Sequence, residues 1–342
     1  MAGTNVAVIG GGITAALIGY LSRHLTVNLD LWESDAQLGG RMKTVKCDRL
    51  ASYVDIGAQY ITTSAETANS SQIYSSLLES CKIKIFTGDI INMRRSSDDA
   101  INYVAPEGMD SLAHHFVNLS NFRNIYLSRP IQQLDINQDR VEITDAEGRT
   151  EIYHGVILTL PVPVILNLEG NFKKAISGET YEALKKVEYS CRDCLAMFFN
   201  DTLPESWAAK YLPDDSVFKY VSIQENKIGS SSNSKSSVVF HSSIQFGQKY
   251  KTSSDDITKS ILIEHARRLF PTFPDPIEIQ HYKWNYSQVL KPYRNSPKSV
   301  SVHEKPLIVV AGDAFAASNF DGCVSSAESV ADTLKNVFDN KL

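Results

Sequence analysis

The chain has 342 residues, of which 43% are hydrophobic and 21% are charged, and its formal net charge is −5 at pH 7. A chain of this length usually exceeds what one hydrophobic core supports, so we expect two domains. The acidic balance excludes a basic surface for nucleic acid or anionic lipid. Apolar runs stay far below the roughly 20 residues of a membrane helix, and the first residues lack a signal-peptide pattern. We therefore expect a cytoplasmic protein that binds neither nucleic acid nor membrane, with secretion by an unconventional route as the alternative.

The five cysteines are an odd number in a long chain, which argues against a disulfide framework. Cys191-Arg-Asp-Cys194 has C-x-x-C spacing, but no second pair completes a zinc site. Residues 189–199 have a strand pattern, and positions three apart on a strand face opposite sides. We predict no metal site.

The chain begins with a strand, a glycine turn and a helix. Residues 6–9 form an apolar run typical of a strand buried on both faces, and helix formers follow from Ile13 onward. Gly10 allows a tight turn, and Gly12 lets the backbone approach a pyrophosphate at the helix N-terminus. Ala15 takes the place of the third glycine and permits close packing of helix on strand. The pattern predicts a dinucleotide-binding turn.

A second apolar run at 27–32 ends in Glu33, about twenty residues beyond the glycines. A carboxylate there can accept both ribose hydroxyls and would repel a 2′-phosphate. Gly39-Gly40-Arg41 follows and can bring N–H groups and a cation to a second phosphate or to a flavin. Because a plain nicotinamide-binding domain does not need this segment, the combination favours FAD; the alternative is a surface turn with a solvated arginine.

The middle of the chain alternates between two kinds of segment. Its predicted elements are a helix at 72–81, strands within 83–93, a helix at 111–119, strands at 125–129, 131–136, 140–144 and from 155 to a proline stop at 161, aromatic-rich strands within 172–296, a mobile polar loop at 229–237 and an amphipathic helix at 257–270. We assign 1–80, 101–171 and 297–342 to a FAD-binding domain. We assign 81–100 and 172–296 to a substrate domain.

A late strand from residue 307 ends in Gly312-Asp313, which predicts a return to the same ligand. Apolar positions at 323, 327, 330, 334 and 337 then mark one face of a helix beginning near Asp321. Its positive dipole end can stabilise negative charge on a reduced flavin, and Asp313 can accept from the ribityl chain or position a phosphate-bound water. The alternative is an ordinary capped terminal helix.

Four ordered motifs resemble the renalase family of FAD-dependent, amine-oxidase-like flavoproteins. They are D-I-G-A-Q-Y-I-T at 55–62, P-V-P at 161–163, K-W-N-Y-S-Q-V at 283–289, and G-D-A-F at 312–315 with N-F-D-G-C at 319–323. The match extends in order along essentially the whole chain. It implies noncovalent FAD and an α/β fold, in which a Rossmann-like domain of the glutathione-reductase or amine-oxidase type carries a second, mixed-sheet α+β substrate domain.

The resemblance also implies a reaction and its partners. Family members oxidise the 2- and 6-dihydro isomers of NAD(P)H to NAD(P)⁺ and reduce O₂ to H₂O₂, which makes a dihydronicotinamide dinucleotide and O₂ the expected small-molecule partners of a monomer or weak dimer. Two alternatives remain open. One is an amine oxidase, which would usually place a lysine beside the flavin; Lys283 or Lys291 could be mistaken for that lysine, although neither lies in a matching family context. The other is a noncatalytic signalling or binding protein that retains FAD.

The family's site positions are carried over one by one. Tyr60, Tyr211, His241 and Trp284 are the candidate catalytic residues, with His241 on a strand facing the flavin and Tyr211 and Trp284 as pocket walls. The expected cofactor-binding residues are Gly10, Gly12, Ile13, Thr14, Glu33, Gly40, Arg41, Met42, Gly57, Ala58, Gln59, Tyr60, Ile131, Gly312, Asp313, Phe320, Asp321 and Gly322. Residues 191–194 and 226–237 depart from the family pattern, so the preferred isomer does not carry over.

Overall fold

The computed structural model describes residues 3–93, 98–229 and 235–339. Its strands are β1 Asn5–Ile9, β2 Asn28–Trp32, β3 Thr44–Cys47, β4 Ser52–Asp55, β5 Ile61–Ser64, β6 Lys84–Ile85, β7 Ile90–Ile91, β8 Ala100–Val104, β9 Phe122–Tyr126, β10 Ile131–Asn137, β11 Arg140–Asp145, β12 Thr150–Tyr153, β13 Gly155–Leu158, β14 Glu188–Tyr189, β15 Arg192–Phe199, β16 Ala209–Tyr211, β17 Phe218–Ile223, β18 Ser236–Ser242, β19 Glu278–Trp284, β20 Val289–Lys291, β21 Ser299–Glu304 and β22 Leu307–Ala311. Its helices are α1 Ile13–Leu21, α2 Ala65–Ser70, α3 Gln72–Glu79, α4 Ser111–Asn118, α5 Val162–Asn167, α6 Gly178–Lys185, α7 Gln224–Ile228, α8 Ile244–Lys249, α9 Asp255–Leu269 and α10 Phe320–Leu334.

The chain divides into two compact units. The first unit contains Met1–Gly40, Asp110–Glu188 and Val289–Leu342, and the second contains Arg41–Met109 and Tyr189–Gln288. The first boundary therefore lies at residue 40 rather than at the predicted 80, and the later boundaries shift by about eight to seventeen residues. The physical reason is a shared core, because Val54 and Ile56 of the β3–β4 region pack with Ala196, Phe198 and Val239. The assignment of cofactor and substrate roles to segments stays a prediction.

The first unit is built on a six-stranded sheet in the order β21-β22-β13-β1-β2-β9. Strand β1 pairs in parallel with β2 and β13, and only the edge strand β21 runs antiparallel to its neighbour. Strand β13 is buried throughout, as a parallel sheet covered on both faces requires. Helix α1 packs against α4 and α10. This is the predicted Rossmann-like fold, and β10-β11-β12 forms a separate antiparallel sheet within the unit.

The second unit contains a six-stranded sheet in the order β19-β15-β18-β17-β16-β7, antiparallel except where β7 runs parallel to β16. One face packs beneath α8 and α9 around residues such as Phe240, Leu262 and Phe270. The opposite face packs against the β3–β4 hairpin. A mixed-sheet second domain is therefore confirmed.

Several element predictions need correction. The strand expected at 125–129 lies at Phe122–Tyr126, since Ser128 takes a left-handed backbone conformation that ends it, and β12 was not anticipated. The polar loop expected at 229–237 follows α7, which ends at Gly229 in a left-handed cap, and its last two residues already belong to β18. Residues 230–234 of that loop lie outside the described residues. Among the described helices, none combines the length and apolar character needed to cross a bilayer.

Candidate functional site

The glycine turn at Gly10–Gly12 joins β1 to α1. Gly10 has a φ of +106°, and a Cβ there would lie 2.6 Å from Thr159 Oγ1. Gly12 caps α1 without a side chain, and a Cβ on Gly12 would meet nothing within 4 Å. The open space therefore lies directly at the helix N-terminus, where N–H groups attract a phosphate. Ile13 and Thr14, in the first helical turn, are both buried.

Glu33 holds this turn to the end of β2. Its Oε2 accepts the Gly11 N–H at 2.5 Å, while Oε1 accepts the Asp35 N–H at 2.7 Å and the Ser34 hydroxyl at 2.9 Å. A carboxylate has about four lone-pair positions, so roughly one remains for a ligand. The expected acceptance of two ribose hydroxyls thus competes with the turn's own hydrogen bonds.

Gly40 lies beside the glycine turn. The Gly39 N–H donates to Gly11 O at 2.9 Å, and a Cβ on Gly40, whose φ is +56°, would lie 3.2 Å from Gly12 Cα. The two glycine segments expected to serve one dinucleotide are therefore adjacent. Ile131 begins β10, two residues after Arg129, whose N–H donates to Glu33 O at 2.8 Å.

The C-terminal element of the first unit is fixed by side chains that the sequence analysis missed. Gly312, with a φ of +125°, donates its N–H to Ser326 Oγ at 2.8 Å, and Ser326 Oγ donates to Lys298 O at 2.6 Å. Asp313 is buried and accepts from Ser318 Oγ at 2.9 Å. The turn after β22 is thus held from two sides.

Helix α10 begins at Phe320, one residue before the expected start at Asp321. Asn319 caps it, with Oδ1 accepting the Gly322 N–H at 2.8 Å, so one first-turn N–H is already bonded. A Cβ on Gly322 would overlap Ala317 O. Only glycine therefore allows the preceding turn to lie this close to the helix. The N-x-x-G spacing is the signal that could have revealed this cap.

In the second unit, Gly57 and Ala58 lie against the backbone of Arg41. A Cβ on Gly57 would overlap Arg41 O, which accepts the Ala58 N–H at 2.9 Å. Arg41 Nη1 donates to Ser287 O at 3.3 Å, and its guanidinium lies 5.8 Å from the centroid of the Tyr189 ring. Met42 is buried. The structure therefore brings two predicted pairs of residues together, Arg41 with Met42 and Gly57 with Ala58.

The expected catalytic residues on the second sheet share one face. Tyr211, Tyr220 and His241 are cross-strand partners in one row, which continues through Cys194 to Tyr282. Trp284 lies two residues beyond Tyr282 on the same face, donates to Ile56 O at 3.0 Å and packs on the hairpin core. Trp284 is thus separated from His241 along the sheet. Tyr211 and His241, in contrast, lie on either side of Tyr220.

Tyr60 contacts this row directly. Its hydroxyl lies 2.5 Å from the Tyr211 hydroxyl, and burial raises its pKa well above the ordinary tyrosine value. Tyr220 stacks edge-on to both Tyr211 and His241. Its hydroxyl is buried and has no hydrogen-bond partner among the described residues. Sequence reasoning missed Tyr220, because only the strand register places it between the two predicted residues.

His241 and Gln59 form the centre of a polar cluster, which we call the Gln59 network (Asp55, Gln59, Lys227 and His241). Gln59 Nε2 lies 3.2 Å from His241 Nε2 and donates to Asp55 O at 2.5 Å and Gly57 O at 3.1 Å. Burial, followed by the positive charges of Arg192 and Lys227, lowers the pKa of His241 to about 3. His241 is therefore an uncharged imidazole at neutral pH.

The Lys227–Asp55 ion pair lies beneath Gln59. Lys227 Nζ is 2.9 Å from Asp55 Oδ2 and 3.2 Å from Gln59 Oε1, with both charged side chains at most 1% exposed. Asp55 also accepts from Thr44 Oγ1 at 2.6 Å and from the Met109 N–H at 2.8 Å. Lys227 lies within residues 226–237, which depart from the family pattern, so neither the resemblance nor a local motif pointed to it.

No cluster of three or more potential metal ligands occurs within residues 3–93, 98–229 and 235–339. All five cysteines are free thiols. Cys194 lies in the row with His241, and Cys191 precedes β15.

Comparison with known proteins places the chain in a family. Residues 79–335 match the family described as flavin containing amine oxidoreductase, and residues 8–77 match the NAD(P)-binding Rossmann-like domain. The chain is 32% identical over 340 residues to renalase from Mus musculus, an alignment that covers 97% of this chain and 99% of the mouse protein.

Two solved structures share the fold. An Exiguobacterium sp. 255-15 protein assigned as a protoporphyrinogen oxidase has a TM-score of 0.76 at 13% identity, covering 98% of this chain and 99% of its own. A triple mutant of putrescine oxidase has a TM-score of 0.71 at 12% identity, covering 97% and 99%. The open helix N-terminus at Gly12 and the adjacent glycine segments fit the dinucleotide that such enzymes bind, so FAD is the cofactor. The chain belongs to the flavin containing amine oxidoreductases and, within them, to the renalase family.

Proposed function

We propose that this flavoprotein oxidises the 2- and 6-dihydro isomers of NAD(P)H to NAD(P)⁺, with reduction of O₂ to H₂O₂. FAD, when bound, would supply the acceptor of the hydride and the route for its two electrons to O₂, and a second proton from solvent would complete H₂O₂. The substrate C–H bond breaks with both electrons, and the neutral dihydropyridine becomes an aromatic cation. No proton leaves the ring, so the residues of the chain have to bind and orient the substrate rather than act as a base.

The uncharged His241 carries this proposal. An imidazole whose pKa is lowered to about 3 is a weak general base at neutral pH, because its conjugate acid gives up the proton readily. The raised pKa of Tyr60 likewise keeps that phenol neutral. A site with neutral polar groups suits a reaction that needs orientation without proton removal.

The first unit would hold the dinucleotide. Gly10, Gly12 and the first turn of α1, including Ile13 and Thr14, would receive the pyrophosphate, and Glu33 would accept from a ribose hydroxyl. Other cofactor residues in this proposal are Gly40, Arg41, Met42, Gly57, Ala58, Gln59, Tyr60, Ile131, Gly312, Asp313, Phe320, Asp321 and Gly322. Tyr60, Tyr211, His241 and Trp284 would serve the substrate side.

Amine oxidation is the second candidate function, and the positions of the lysines disfavour it. Lys283 donates to Tyr250 O at 3.3 Å and to Ser253 O at 2.9 Å, and strand alternation places it on the face opposite Tyr282 and Trp284. Lys291 is exposed and lies 3.6 Å from Glu188. Among the described residues, the hydrogen-bond and ion-pair partners of Lys283 include no member of the Gln59 network. A noncatalytic role for FAD is the remaining alternative.

The deciding experiment is anaerobic mixing of the FAD-loaded protein with each dihydronicotinamide isomer and with amines, followed by flavin absorbance. We expect rapid bleaching by a 2- or 6-dihydro isomer and none by amines. Admission of air should then restore the absorbance and release H₂O₂. Bleaching by amines alone would establish the second function, and bleaching by neither class would support the noncatalytic role.

We further propose that the protein is a cytoplasmic monomer or weak dimer, with unconventional secretion as the alternative to the cytoplasmic location.

A further inference from the structure

We infer that the Lys227–Asp55 ion pair acts through Gln59 to hold His241 as a hydrogen-bond donor at Nδ1, so that His241 recognises an acceptor oxygen on the substrate. Lys227, Asp55 and Gln59 are then positioning residues, since each acts through His241. The identity of the substrate rests on the proposed function, whereas the state of His241 does not.

The orientation of the Gln59 amide is fixed on both sides. Its oxygen accepts from the Lys227 ammonium at 3.2 Å, which has no lone pair to offer in return. Its nitrogen faces two backbone carbonyls, Asp55 O and Gly57 O, which can only accept. A flipped amide would set oxygen against carbonyl oxygens and nitrogen against an ammonium. The nitrogen must therefore point at His241.

This orientation decides the tautomer of His241. The Gln59 amide nitrogen has two hydrogens for three acceptors, so one N–H is shared between Gly57 O at 3.1 Å and His241 Nε2 at 3.2 Å. Because an amide nitrogen does not accept, His241 Nε2 carries no hydrogen. The proton of the neutral ring then lies on Nδ1. Among the described residues, the ring has no side-chain hydrogen-bond partner other than Gln59. The Nδ1–H donor is consequently left for a ligand.

The charges around His241 also favour an uncharged imidazole ring. Arg192 on β15 donates to Ser242 O at 2.7 Å, and Lys227 on α7 lies behind Gln59, so two cations disfavour an imidazolium. Asp55 on β4 is the nearest anion of the network, but it is paired with Lys227 at 2.9 Å. The phenols of Tyr60 and Tyr220, on the remaining side, have raised pKa values and stay neutral. A buried ion pair seldom stabilises a fold in itself, and the contact of this one with the Gln59 oxygen at 3.2 Å lets it orient the amide.

A fixed N–H donor selects the chemistry of the ligand. The carboxamide oxygen of a nicotinamide ring is an acceptor that matches it. A substrate ammonium is a donor and would face Nδ1–H without a partner, which costs binding energy. The same feature that recognises a dihydronicotinamide therefore rejects a protonated amine.

The test is ¹⁵N NMR of the histidine rings in the FAD-loaded protein, with His241→Asn identifying the His241 signals. We expect the Nδ1–H tautomer in the wild type, unchanged between pH 8 and pH 5. Gln59→Glu replaces the donor by an acceptor of the same shape, so His241 should carry hydrogen on Nε2 and take up a second proton at higher pH. Binding of NAD⁺, followed by flavin absorbance, should weaken about tenfold or more in this variant.

A matched pair of lysine variants separates orientation from general loss of charge. Lys227→Met should mix the His241 tautomers. Lys283→Met should leave them unchanged, because within the described part of the chain this lysine bonds to Tyr250, Ser253 and Asp255 and to no residue of the Gln59 network. If Lys227→Met fails to fold, Lys227→Met with Asp55→Asn removes both charges and serves instead. A wild-type Nε2–H tautomer, or no change in Gln59→Glu, overturns the inference. An Nδ1–H tautomer in a protein that oxidises no dihydronicotinamide would sustain it while refuting the proposed function.

Discussion

The glycine turn of the first unit and the Gln59 network of the second unit place ligand-binding groups by different means. At Gly10–Gly12 the functional groups belong to the backbone, and the residues matter because they lack side chains. In the Gln59 network they are side chains from two stretches of sequence, 55–59 and 227–241, and the contacts between these stretches join residues more than 160 positions apart. Backbone sites of the first kind leave a local pattern in the sequence, whereas sites of the second kind do not.

The two regions also tolerate change differently. Variants of the ligand-facing residues around the glycine turn, Gly12 and Glu33, should mainly bind FAD less tightly and still fold. The Gln59 network contains a fully buried ion pair, so its variants should affect folding as well. The following predictions test this contrast, beginning with the largest expected effect.

Asp55→Ala leaves the Lys227 ammonium buried without its partner. We expect the free energy of unfolding to fall by about 3–5 kcal/mol, measured by urea denaturation of the FAD-free protein. Asp275→Ala, which breaks the exposed pair with Arg267, is the matched control and should change stability little. Equal effects of the two substitutions would show that the buried pair has no special energetic role.

His241→Asn should slow anaerobic flavin reduction by about ten- to a hundredfold, or roughly 1–3 kcal/mol, through misplaced substrate. The rate of the wild type should not titrate near pH 6.5, because its His241 stays uncharged there. Loss of a pH-dependent limb in the variant would instead identify His241 as an acid–base catalyst.

The lowered pKa of His241 also predicts that the free energy of unfolding falls as the pH is lowered. In the unfolded chain this histidine takes up a proton as the pH falls through about 6.5, whereas the folded protein resists until about pH 3. Unfolding is therefore favoured progressively as the pH falls through this window. Wild-type protein should lose more stability than His241→Asn between pH 7 and pH 5, measured by urea denaturation at each pH.

Glu33→Ala should weaken FAD binding by about 1–3 kcal/mol, because a ribose hydroxyl and the Gly11 N–H both lose a charged acceptor. Hydride transfer at full flavin occupancy should be nearly unchanged. Titration of the FAD-free protein with FAD gives the first quantity, and single-turnover reduction gives the second. A large loss of rate in the saturated enzyme would contradict the separation of the two regions.

Gly12→Ala should have the smallest effect. Its Cβ enters empty space in the protein, so the free energy of unfolding of the FAD-free chain should not fall. FAD affinity should drop about tenfold, or 1.4 kcal/mol, because the methyl group occupies the approach of the pyrophosphate. Gly10→Ala is the contrasting variant, since its positive φ and the contact with Thr159 Oγ1 should destabilise the protein itself. Identical behaviour of the two alanines would argue against a ligand site at Gly12.

The sequence was sufficient for the elements that depend on local spacing. Helix α1 has the predicted start at Ile13, α10 begins within one residue of the prediction, and the strand at 155 and the one at 307 both join the parallel sheet. In each case an apolar period and a glycine or proline stop lie within a few residues of one another. Local sequence patterns were therefore sufficient to predict these elements of the first unit.

The second unit was harder to predict because its site depends on register. Tyr220 lies between Tyr211 and His241 only because three strands pair in one alignment, with an irregularity between Phe218 and Tyr220. Lys227 was not predicted because it lies in a polar segment and because its partner Asp55 precedes it by 172 residues. No local pattern carries information about such a distant partner.

Helix α7 has a consequence for how this protein family can vary in length. Its single turn places Gln224 and Lys227 three residues apart, on one side, so that both reach Asp55 Oδ2. One residue inserted between them would rotate Lys227 by about 100° around the helix axis and remove it from Asp55. An insertion after Gly229, where the helix has ended, would leave both contacts in place. Relatives that keep both contacts should therefore preserve the spacing between Gln224 and Lys227, while length differences after Gly229 are compatible with them.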